Sequence, residues 1–181
     1  MKIFEKLFSI FRSKNNDGFT IPKSTEFISK EFLLNIPKEL RQQEIYNHII
    51  DYEIDFDKEA YEEVMKMNKG HQMIYLIWHL QSEINNGGYF QFFDNFENCN
   101  KILQPYYDLI SEHLIIVKEF HNDFIKAISV YKKLRNAKSE KEEEKYDKEL
   151  YELDTKFYDY EQKLITAVDD YIDSHINDFI S

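Results

Sequence analysis

Met73-Ile74-Tyr75-Leu76-Ile77-Trp78-His79-Leu80-Gln81-Ser82-Glu83-Ile84-Asn85-Asn86-Gly87-Gly88-Tyr89-Phe90-Gln91-Phe92-Phe93-Asp94-Asn95-Phe96 is the stretch whose reading decides the fold. In its first half Met73, Ile74, Ile77, Trp78, Leu80 and Ile84 nearly surround a helix running from His71 to about Asn85, and a helix apolar on most sides belongs in the centre of a core. Asn85-Asn86-Gly87-Gly88 then ends it, because Asn and Gly enter the left-handed conformation at little cost. Tyr89, Phe92, Phe93 and Phe96 follow at i, i+3, i+4 and i+7, so a short helix resumes with one aromatic face.

The same period of about 3.6 continues on both sides. Upstream, Pro37 suits a first helical turn, and Leu40, Ile45, Ile49 and Tyr52 form one stripe. A further helix is predicted from about Asp57 to Lys69, with Gly70 as its stop. Downstream, Asn100 is placed to cap a helix carrying Ile102, Leu103, Tyr106, Leu109 and Ile110, and Leu114 to Leu134 repeats Phe120, Phe124, Ile128 and Tyr131 at helical spacing. Ser139 and Glu142 have the spacing of a capping box. They open an amphipathic pair of helices in which Leu150, Leu153, Phe157, Tyr160, Leu164, Val168, Tyr171, Ile172, Ile176 and Phe179 recur every three or four residues. The expected fold is all-α, a single-domain multi-helix bundle over 37–181. It is preceded by a short amphipathic helix at 1–12 (Ile3, Phe4, Leu7, Phe8 and Phe11 on one side) and a polar linker over 13–36.

Composition narrows the function classes. Over 181 residues, 34 acids face 23 Lys and Arg, for a net charge of −11. With 43% hydrophobic and 16% aromatic residues the chain can bury a core and does not read as disordered. Four Gly and three Pro leave little material for an all-β sandwich or a Gly-rich phosphate cradle. One cysteine, Cys99, excludes an internal disulfide and a paired-thiol metal site, and fits a reducing cytoplasm. No apolar run approaches the ~20 residues of a membrane span, although the 1–12 amphipath resembles an interfacial helix that could touch a membrane, dock on the body or meet a second copy.

Motifs with a built-in mechanism are absent, among them the P-loop, the dinucleotide fingerprint, G-x-S-x-G and H-E-x-x-H. No Glu stands three residues before any of the six histidines. His71 and His79, like His113 and His121, are eight apart, or roughly 12 Å on one helix, too far to share an ion. No catalytic residue, cofactor or metal ligand is therefore expected. The one local enzyme candidate is His79 with Glu83, one turn apart, where a carboxylate could orient an imidazole as a general base; the competing reading is a core histidine with one satisfied hydrogen bond.

Direct nucleic-acid binding is opposed by the charge, since phosphate neutralisation requires clustered Lys and Arg. The converse is open. Residues 140–181 hold fourteen acids and five lysines, which leaves a net of −2 for the first 139 residues. Carboxylates three and four apart on a helix stand about 5–6 Å apart at Cβ, a spacing comparable with neighbouring phosphates. Glu142, Glu143, Asp147, Glu149, Glu152, Asp154, Asp159, Glu161, Asp169, Asp170 and Asp173 could build such a face, to which a basic protein would be steered, or could simply be solvated.

The run from Ile77 to Asn95 also resembles the hallmark of a bacterial domain family typified by a DNA-mimic protein. In that family an E-[VI]-N-N-G-G turn (here Glu83, Asn85, Asn86, Gly87 and Gly88) runs into an aromatic F-x-Q-[FY]-F-x-N stretch (here Tyr89, Gln91, Phe92, Phe93 and Asn95). Leu153, Asp154, Phe157 and Tyr158 resemble its second signature, L-D-x-x-F-Y, and Tyr171 to His175 with Phe179 is similar to its closing helix. The resemblance spans about Glu39 to Phe179. It implies an all-α domain, often dimeric and without assigned enzymatic activity, whose type member occupies the DNA-binding face of a transcription factor. Phe96-Glu97-Asn98-Cys99 departs from the small Ser/Gly-rich turn usual after the aromatic run. The motif residues read foremost as turn and core, and the exposed candidates for a partner are the carboxylates. The expected function is a non-catalytic acidic interaction protein bound to a basic DNA-binding protein; the alternative is an immunity or antitoxin-like protein that blocks a basic nuclease.

Overall fold

The computed structural model describes residues 27–55, 58, 60–99 and 103–180. The amphipath expected at 1–12, most of the linker and the Asn100 cap lie outside them. Among the described residues there is no strand, as the periodicity predicts. The helices are α1 (Lys30–Asn35), α2 (Arg41–His48), α3 (Ala60–Val64), α4 (Lys69–Cys99), α5 (Leu103–Leu114), α6 (Lys118–Arg135) and α7 (Glu140–Ser174). A 3-10 turn (Lys38–Leu40) leads into α2, a π-helical turn (Ile49–Glu53) prolongs it, and a 3-10 turn (Ile176–Phe179) closes the chain.

Helix α4 is the hub, in contact with α2, α5, α6, α7 and the closing turn. Its apolar first half buries Met73, Ile74, Ile77, Leu80 and Ile84 to 3% exposure or less. Its aromatic second half meets rings from three other helices: Phe96 is 4.6 Å from Tyr106, Phe93 is 5.0 Å from Tyr131, and Tyr89 is 6.3 Å from Phe157 between ring centres. Offset and edge-to-face ring pairs of this kind add to the free energy of burial. Helices α6 and α7 form an antiparallel hairpin, in which Lys163 reaches Glu119 at 2.8 Å and Lys156 reaches Asp123 at 3.5 Å. At about 1.5 Å per residue the 35 residues of α7 outrun the 18 of α6. The excess packs on α4 and α2.

Several boundaries differ from the reading of the sequence. The end of the expected 13–36 linker is folded: Ser29 Oγ accepts from Phe32 N–H at 3.0 Å to cap α1, and Ile28, Leu33 and Ile36 enter the core. Helix α3 is only five residues long, and Gly70 does not stop it. Gly70 instead lies in the first turn of α4, where a Cβ would stand 2.3 Å from the Asp178 carbonyl oxygen. That glycine answers to close helix packing, which has no local signature. The span from Leu114 to Leu134 is broken at 115–117, and the expected C-terminal helix pair is one helix followed by a 3-10 turn. Ser139 Oγ accepts from Glu142 N–H at 3.3 Å, while the Glu142 carboxylate accepts from Lys138 N–H, one residue before the usual partner. No described helix is long and apolar enough to cross a membrane.

Candidate functional site

The two motifs, 65 residues apart in sequence, meet in one corner. Helix α4 is interrupted at Gly87 (φ −166°, ψ 26°) and Gly88 (φ 73°, ψ −175°), which breaks the ladder of hydrogen bonds and strips Ile84 C=O and Tyr89 N–H of their intrahelical partners. Both are satisfied from α7. The Tyr158 hydroxyl donates to Ile84 C=O at 3.1 Å, and Asp154 Oδ1 accepts from Tyr89 N–H at 2.8 Å. Asp154 therefore serves as the N-cap of the second half of α4 from another helix. Burial pushes its carboxyl above the ordinary range, partly offset by the Tyr89 amide.

Gly88 is doubly constrained, since it alone among the described residues has a positive φ and a Cβ there would stand 2.3 Å from Asp154 Oδ2. Glu83, 7% exposed, spans the kink from below by accepting from Gln91 Nε2 at 3.0 Å and Asn95 Nδ2 at 2.7 Å. Asn85 and Asn86 remain helical, contrary to the expected left-handed turn, and Asn85 Nδ2 donates to Glu161 at 2.6 Å. Phe92, Phe93, Leu153 and Phe157 fill the core beneath, each 2% exposed or less. The geometry places the motif residues in a joint between α4 and α7.

His79 and Glu83 are held by different partners. His79 Nε2 is 3.3 Å from the Tyr46 hydroxyl, and its ring is 4.4 Å from that of Tyr75. Burial pulls its pKa down to about 4, so the imidazole is neutral at pH 7.

The carboxylates of α7 divide into two sets. Glu142 caps the helix, Glu149 lies 3.9 Å from Lys145, Asp154 and Glu161 hold the corner, and Asp169 accepts from Gln42 at 2.7 Å. Asp170 and Asp173 receive Lys38 at 3.1 and 2.7 Å, and Arg41 also pairs with Asp173. These fasten the chain to itself. Glu140, Glu143, Glu144, Asp147, Glu152 and Asp159 are exposed and form no ion pair among the described residues. Lys141 and Lys148 interrupt their row, whereas Lys156 and Lys163 are turned to acids of α6.

A third constellation escaped the sequence reading. Glu53 Oε1, at the end of the π-helical turn, lies 3.0 Å from His48 Nε2 and 2.7 Å from His71 Nδ1, and His71 Nε2 lies 3.2 Å from the Phe179 carbonyl oxygen. Burial by itself would raise the Glu53 carboxyl, but the hydrogen bonds and charge of the two histidines pull it down to about 2. One turn before His48, both carboxylate oxygens of the buried Glu44 lack a hydrogen-bond partner among the described residues. Burial holds its carboxyl above the ordinary range. No linear spacing announces the cluster, because His71 comes from a different helix.

Fold and site together define an all-α domain with a motif-built joint and a row of outward carboxylates. The comparison with known families is specific: the family described as DMP19-like protein matches residues 65–175, and the chain belongs to it. This is the DNA-mimic family that the motifs resemble. No curated protein and no solved structure matches the chain.

Proposed function

We propose that the chain is a cytoplasmic, non-catalytic interaction protein that offers the outer face of α7 to a basic DNA-binding protein, such as a transcription factor, in place of DNA. One observation carries this reading: six carboxylates, from Glu140 to Asp159, stand exposed and unengaged on one continuous helix while the remaining acids of that helix bind within the fold. Membership of the DMP19-like family supports it. The density of charge limits the form of mimicry. These residues span roughly 28 Å of helix axis, over which duplex DNA carries about 16 phosphates. Six carboxylates are about a third of that, enough to meet one basic patch and too few to replace a whole duplex.

The test is capture from the source cell's lysate on the immobilised full chain, at low and high salt, with competing duplex DNA. A basic DNA-binding protein that is held at low salt, released by the duplex, and not held by a variant with amides at Glu143, Glu144, Asp147, Glu152 and Asp159 supports mimicry. Equal retention by that variant rejects it. A captured nuclease whose activity falls on binding moves the assignment to the immunity reading.

A further inference from the structure

The cluster of His48, Glu53 and His71 has the composition and the second layer of contacts of a metal site. Its three ligand atoms all lie within 4.8 Å of one another. Four ligands on zinc at about 2.0–2.1 Å stand about 3.3–3.4 Å apart, so the observed 2.7 and 3.0 Å contacts need to open by about 0.3–0.7 Å. Two imidazoles with one carboxylate form a donor set that first-row divalent ions prefer over magnesium or calcium, which take oxygen.

The surroundings of His71 point the same way. Its Nε2 lies 3.2 Å from the Phe179 carbonyl oxygen, which only accepts, while Nδ1 faces Glu53 Oε1 at 2.7 Å. A ligating histidine whose other N–H is fixed by a backbone carbonyl is the usual support of a metal ligand.

The backbone is shaped for the third ligand. In an ordinary α-helix residues five apart point about 140° away from each other, and Glu53 would face away from His48. The π-helical turn, closed by Ile54 N–H to Ile49 C=O at 3.1 Å, widens the helix and brings the carboxylate back under His48. Such turns are uncommon and concentrate at functional positions. Entry is available on the Glu53 side, because that residue borders a shallow cleft of about 300 Å³ with Glu63, Lys66, Met67 and Asn68.

We propose that His48 Nε2, Glu53 Oε1 and His71 Nδ1 bind one divalent transition-metal ion of the zinc class, with a water from the cleft as fourth ligand. The ion would tie the π-helical turn after α2 to the start of α4 and, through Phe179, to the C-terminal turn. His48 and Glu53 precede the segment that the family matches, so the site is independent of the motif corner.

The test uses the full chain stripped with a chelator and titrated with Co²⁺ and then Zn²⁺. The expected result is one Co²⁺ per chain with the intense visible bands of a four-coordinate ion, displaced by Zn²⁺. The ring-nitrogen resonances of His48 Nε2 and His71 Nδ1 should shift on Zn²⁺ binding. Glu53→Gln and His48→Gln should each weaken Zn²⁺ affinity by about a hundredfold or more, a loss at least as large as that for supporting residues, while amides at Glu143, Asp147 and Glu152 leave it unchanged. Absence of both the bands and the nitrogen shifts in the wild-type chain overturns the proposal and leaves an imidazolium–carboxylate cluster. So does affinity that survives both ligand substitutions. Where a variant unfolds by circular dichroism, the wild-type nitrogen shifts decide.

Discussion

Gly88 and Asp154 are a pair in which each residue explains the other. Gly88→Ala adds strain at a positive φ, about 1–2 kcal/mol, together with a clash on the Asp154 carboxylate. Asp154→Ala removes the cap of Tyr89 N–H, worth about 1 kcal/mol. Both should lower the urea midpoint, and the double variant should lose less than the sum, because the clash disappears with the carboxylate. Asp154→Asn keeps an acceptor and should lose least. His79 supplies a second prediction. Its folded pKa of about 4 is below its ordinary 6.5, so the unfolded chain binds the extra proton between these values. The stability that neutral His79 contributes is complete above pH 6.5 and is lost as pH falls towards 4. Ring titration by NMR should report the lowered value, and His79→Gln should flatten stability against pH in that window.

At the scale of the elements, α7 has two halves with different work. From Asp154 onward it is fastened by Asp154, Tyr158, Glu161, Asp169 and Asp173 to α4 and to the segment around α2. Its first turns carry four of the six unengaged acids and depend on the Ser139 cap. Ser139→Ala should cost about 1 kcal/mol, with hydrogen exchange accelerating over 140–147 and unchanged beyond Leu150. Protection lost along the whole helix would show that the cap governs the packed half as well. The capping box was readable because it is local, three residues of one chain segment. Gly70 was misread for the opposite reason: its cause is Asp178, a hundred residues away.

For the whole molecule, the division of the acids separates binding from stability. Amides at Glu143, Glu144, Asp147, Glu152 and Asp159 should leave the thermal midpoint unchanged or raise it, because they relieve self-repulsion in a chain of net charge −11. Glu161→Ala, which removes the acceptor of Asn85 Nδ2, should lower the midpoint without touching a partner bound on the outer face. Lys38→Ala, which removes the exposed bridge to Asp170 and Asp173, should leave the midpoint nearly unchanged, with the difference smaller still at high salt. A thermal series of the three variants at two ionic strengths checks all of these. If the amide variant were the destabilised one, the outer carboxylates would belong to the fold.

Helical periodicity, the break at Gly87-Gly88, the aromatic face of Tyr89, Phe92, Phe93 and Phe96, and the Ser139 cap could be read from the chain, since each rests on residues within a turn or two of one another. The carboxylates could be named from their helical spacing, but which of them are engaged within the fold depended on residues 76 to 135 positions distant, Asn85, Lys38 and Arg41. The N-N-G-G and L-D-x-x-F-Y motifs were visible as two signatures, yet their union in one joint follows from the packing of α7 on α4. The cluster of His48, Glu53 and His71 was invisible for the same reason. Backbone preference acts over a few residues, whereas a site is made wherever buried surfaces bring distant side chains to hydrogen-bond distance, and only the folded chain settles that pairing.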